Sequence, residues 1–104
     1  MEGPADRVKP TPPIPRSAAL LTVSGLVQGV GFRAWTVRQA RRYGIAGWVR
    51  NLPSGDVEAL AQGDKKSLDA FVEALKAGPP YSRVDRVTVT PVKVTDLSGF
   101  TVIY

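Results

Sequence analysis

The chain has 104 residues, 43% hydrophobic and 22% charged, which suits one small globular domain and excludes a large multi-site enzyme. It contains neither Cys nor His, so disulfides, thiolate nucleophiles, imidazole bases and the usual zinc ligands are excluded together. The net charge of +5 is unevenly placed: from Ser17 to Gly55 the charged residues are Arg33, Arg38, Arg41, Arg42 and Arg50, and that half of the chain should attract anions.

Residues 1 to 16 hold Pro4, Pro10, Pro12, Pro13 and Pro15 among small and polar residues, a composition that favours extended, solvated backbone. They read as a flexible Pro-rich tail ahead of one domain over residues 17 to 104. Glu2 and Asp6 with no apolar stretch argue against a secretory leader, and no apolar run approaches the roughly eighteen residues needed to cross a bilayer. A cytoplasmic location with no membrane partner is therefore expected.

The first strand is predicted from Ala18 to Ser24, where Ala19, Leu21 and Val23 alternate with Leu20, Thr22 and Ser24 until Gly25. A glycine-rich loop from Leu26 to Gly31 follows. Phe32, Thr36, Ala40 and Tyr43 then recur at helical spacing before Gly44, with Arg38, Arg41 and Arg42 as the solvated face. A second strand spans Ala46 to Leu52, and Pro53-Ser54-Gly55 turns it into a third, Val57 to Gln62. The second helix shows an apolar stripe at Leu68, Phe71, Val72 and Leu75, with Asp64 to cap its start and Gly78-Pro79-Pro80 to end it. Val84 to Val94 reads as a fourth strand, and Phe100, Val102 and Tyr104 as a last short one.

That order is βαββαβ, a ferredoxin-like α+β sandwich with two helices on one face of an antiparallel sheet. The topology hosts many unrelated activities, so function has to be argued from the site.

The loop Val27-Gln28-Gly29-Val30-Gly31-Phe32-Arg33 joins the first strand to the first helix, where unpaired N–H groups and the positive end of the helix dipole converge. Gly29 and Gly31 allow successive N–H groups to curl around a phosphate, and Arg33 adds a planar fork of donors. A cation at a helix start is disfavoured unless an anion offsets it, which sets Arg33 apart from an ordinary surface charge. Gly29-Val30-Gly31-Phe32-Arg33-Ala34 also fits Gly-x-Gly-x-x-Ala, but no acid for a ribose occurs between the loop and Asp56. A nucleotide-triphosphate loop is excluded because Gly-Lys followed by Ser or Thr is missing. A small phosphorylated substrate remains.

Together with this loop, the stretch from Val23 to Arg33, followed by Gly47-Trp48-Val49-Arg50-Asn51 and Gly55-Asp56-Val57-Glu58, resembles the acylphosphatase family. The likeness spans most of residues 18 to 104 and extends to Gly78-Pro79-Pro80 and to Phe100 through Tyr104. It implies hydrolysis of a small acyl phosphate to carboxylate and inorganic phosphate by a monomer, with no metal or organic cofactor. It also implies catalytic roles for Arg33, which binds phosphate, and Asn51, which positions the attacking water. Gln28, Gly29, Val30, Gly31 and Phe32 match the loop whose backbone amides bind phosphate. Ser54-Gly55 departs from the commoner Asp-Gly turn, and the N-terminal tail is an addition.

Two residues can suffice because phosphoryl transfer rests on positioning and on stabilising charge over the equatorial oxygens, and because a carboxylate leaves readily. An RNA-binding module would need aromatic stacking platforms on its central strands, and Val57 to Gln62 has none, so no nucleic-acid partner is expected. A non-catalytic phosphate sensor is the other alternative, against which Asn51 argues.

Overall fold

The computed structural model describes residues 15–104. β1 spans Arg16–Leu26, α1 Phe32–Tyr43, β2 Ala46–Asn51, β3 Val57–Asp64, α2 Lys65–Ala77, β4 Arg83–Val92 and β5 Phe100–Val102. The expected tail lies outside the described residues up to Ile14, and its last residue, Arg16, instead opens β1, paired with Asp64 of β3.

The alternation in β1 separates two environments. Ala19, Leu21 and Val23 are buried, in register with Ala61, Ala59 and Val57 of β3, whereas Leu20, Thr22 and Ser24 are half-buried on the opposite face. The helices cover the first face. α2 buries its whole stripe of Leu68, Phe71, Val72 and Leu75, and α1 buries Phe32, Thr36 and Ala40. Each large apolar side chain removed from water in this way is worth about 1.5–3 kcal/mol. Phe71 meets Phe100 edge to face at 5.9 Å, tying α2 to the last strand.

The strand order is β4-β1-β3-β2-β5. The first four run antiparallel to their neighbours, as expected, but β5 lies parallel to β2, so the sheet is mixed at that edge. The connection from β4 to this far edge is held by Gln62. Its fully buried side chain donates from Nε2 to Thr95 O at 2.7 Å and accepts from Thr95 N at 2.9 Å. The register of β1 against β4 shifts between Ser24 and Gly25, an irregularity that bends the end of β1 just before the glycine-rich loop. Among the described residues, no helix is long and apolar enough to cross a membrane.

Candidate active site

The loop after β1 is shaped by handedness. Gly29 and Gly31 have φ of 75° and 76°, and Val30 between them does not share this left-handed conformation. Such alternation aims successive N–H groups into one concavity. An L side chain at either glycine would meet no atom within 4 Å, so the requirement for glycine there is torsional rather than spatial.

α1 starts at this loop without a conventional cap. Gly31 precedes it, no side chain bonds its first N–H groups, and its first turn carries no acid. The Trp35 N–H donates to Gly31 O at 3.0 Å, and among the described residues no backbone N–H from Gln28 to Ala34 reaches a backbone acceptor outside the helix. Several donors and the positive end of a helix dipole therefore face one place. Arg33 adds its guanidinium, which lies 5.1 Å from the centre of the Tyr104 ring and has no carboxylate partner among the described residues.

Asn51 arrives from the opposite side, at the end of β2 opposite Val57. Strand alternation turns its neighbour Arg50 to the other face, where Arg50 Nε donates to Glu58 Oε1 at 2.8 Å and the guanidinium lies over Trp48. Asn51 therefore faces the helix side. Its Oδ1 is buried and has no hydrogen-bond partner. An unpartnered buried acceptor costs about 1–3 kcal/mol, which sets this side chain apart from the satisfied polar groups around it.

Gly29, Gly31, Phe32, Arg33, Asn51 and Tyr104 together line a cleft of about 180 Å³. Sequence residues far apart thus converge on one concavity. Two loop residues do not line it. Val30 packs against the hydrophobic core, and the Gln28 side chain donates from Nε2 to Leu52 O and to Asp56 O, each at 2.8 Å. Thr36, one turn along the same helix, is buried, with its hydroxyl donating to Phe32 O at 2.8 Å. Neither the Gln28 bonds nor the place of Tyr104 under Arg33 has a local sequence signal, because both depend on partners brought in by the sheet.

A larger concavity of about 370 Å³ lies between α2, β1 and β4. Its lining is mainly apolar, and its charged neighbours Lys65 and Asp69 satisfy each other at 2.8 Å. No set of free polar groups converges there as it does in the smaller cleft.

Residues 19–102 match the acylphosphatase family model. The acylphosphatase of Rhodospirillum rubrum is 49% identical over 81 residues, which is 78% of this chain and 89% of that protein. That of Thermococcus kodakarensis is 47% identical over 88 residues, covering 85% and 97%. The crystal structure of acylphosphatase from Bacillus subtilis superposes with a TM-score of 0.82 at 39% identity, covering 85% of this chain and 99% of the other.

Proposed function

The chain belongs to the acylphosphatase family and is an acyl phosphate hydrolase, and on that footing we propose how its cleft performs the reaction. The amides of the loop from Gln28 to Phe32 and the Arg33 fork hold the phosphoryl oxygens. The Asn51 side-chain amide holds a water so that the water's lone pair points at phosphorus, in line with the acyl oxygen. The water O–P bond forms as the P–O bond to the acyl group breaks, and the bonding pair departs with the carboxylate. The proton lost by the water passes to a phosphoryl oxygen, so the products are a carboxylate and dihydrogen phosphate.

This reading needs no side-chain base, in keeping with a chain that has no His or Cys. Arg33 and the loop amides act on charge that spreads over the equatorial oxygens as the phosphoryl group transfers. We assign the reaction no metal, the protein a monomeric state and a cytoplasmic location, with small acyl phosphates as substrates and neither nucleic acid nor membrane as partner.

The observation that carries the proposal is that Asn51, whose Oδ1 has no partner, lines the same cleft as the open loop. A phosphate sensor would have no use for it. Asn51→Ala is expected to lower kcat by about 10²- to 10³-fold while competitive inhibition by inorganic phosphate is kept. Hydrolysis of an aryl acyl phosphate in the presence of chelator reads both quantities at once. Near-normal turnover by Asn51→Ala would remove the role given to that side chain, and loss of wild-type activity in chelator would remove the metal-free route.

A further inference from the structure

Gln28 belongs to the phosphate loop by sequence, yet its side chain serves the turn that follows Asn51. Its Nε2 carries two N–H groups and donates to two carbonyls, Leu52 O and Asp56 O, both at 2.8 Å. Leu52 is the residue directly after Asn51. The same two carbonyls also accept bonds inside the turn, from Gly55 N at 3.1 Å and from Leu52 N at 2.9 Å. The Gln28 amide thus closes the turn from outside and ties it to the loop across the intervening end of β3.

We propose that Gln28 is a positioning residue for Asn51, a strut that fixes the distance between the phosphate-holding half of the cleft and its water-holding half. The inference rests on the water-positioning role given to Asn51 above. Without the strut, the turn keeps only its own backbone bonds and the weaker 3.3 Å bond from Asp56 N to Ser54 Oγ. A displacement of about 1 Å between reacting groups costs on the order of 10²-fold in rate, so modest slack in this turn should be visible in kcat. Phosphate binding should be spared, because the loop amides and Arg33 do not depend on the turn.

Gln28→Met keeps length and approximate volume but removes both donors. It should lower kcat by about 10- to 100-fold and leave the inhibition constant for inorganic phosphate within about twofold. In an Asn51→Ala background the same change should cost less than about twofold, because the group it positions is gone. Near-normal turnover of Gln28→Met beside a crippled Asn51→Ala would overturn the strut alone, and an equal loss in both backgrounds would do the same. An active Asn51→Ala would overturn the strut together with the reading beneath it. On the unaltered protein, the two Gln28 side-chain N–H protons should exchange far more slowly than those of a free glutamine amide, and exchange at the free rate would count against the tie even if the Met variant failed to fold.

Discussion

The two helices of this domain begin in opposite ways. α2 begins at Asp64, whose carboxylate accepts the Ser67 N–H at 2.8 Å and so meets the helix's need for an anion from within the chain. α1 begins at Gly31, in left-handed conformation, with no capping side chain and no acid in its first turn. The start of α2 is self-sufficient, whereas that of α1 is left wanting, with Arg33 added to deepen the positive field. A helix start that brings its own anion serves the fold, and one that withholds it leaves a positive end open, which is where we propose the phosphate sits.

The sharpest way to break this contrast is Arg33→Lys. It retains a cation but loses the planar fork, and kcat/KM for a small acyl phosphate should fall by about 10²-fold or more. Activity equal to wild type would mean that charge alone is enough at the open end. A gentler change makes α1 resemble α2. Gly31→Asp places a carboxylate at the mouth of the loop, in a conformation that Asp tolerates better than most residues, and it should weaken inhibition by inorganic phosphate about tenfold or more. Unchanged inhibition would show that the loop amides are not where phosphate sits.

The smallest effects belong at the other end. Asp64→Ala removes the α2 cap and should lower Tm while leaving kcat untouched, since α2 contributes nothing to the cleft. The backbone N–H of Ser67, followed by its hydroxyl, holds the Asp64 carboxyl below its usual range. A carboxyl with a depressed folded-state pKa stabilises above its unfolded value, and that contribution is lost as pH falls through the folded one. The Tm gap between wild type and Asp64→Ala should therefore narrow in acid, and a gap independent of pH would show that the charge of the cap is irrelevant.

Much of this could be read from the chain because the residues concerned speak locally. The stripe of α2 and the alternation of β1 need only periodicity, and both hold in detail, from Leu68 to Leu75 and from Ala19 to Val23. The glycine-rich loop and Arg33 are likewise contiguous. What escaped local reading depends on pairing at a distance. Arg16 and Ser17 join β1 because Asp64 and Gly63 extend beside them, not because of their own propensity. The segment that carries the chain to the parallel β5 is held by the Gln62 clamp on Thr95, a pair of bonds between residues with no shared pattern. Gln28 looks like one more loop residue until Leu52 and Asp56 are folded against it.

The strand order has a thermodynamic consequence. The loop springs from β1 and Asn51 from β2, and β3 lies between them, so the cleft exists only when the three strands are assembled. The unfolded chain has no counterpart of it. Phosphate held there, as we propose, would bind the native state alone and draw the folding equilibrium towards it by mass action, by about 2.7 kcal/mol at a hundredfold excess over Kd. Melting curves recorded in phosphate buffer should therefore lie above those in a buffer the cleft ignores, and the difference should vanish in the Gly31→Asp variant.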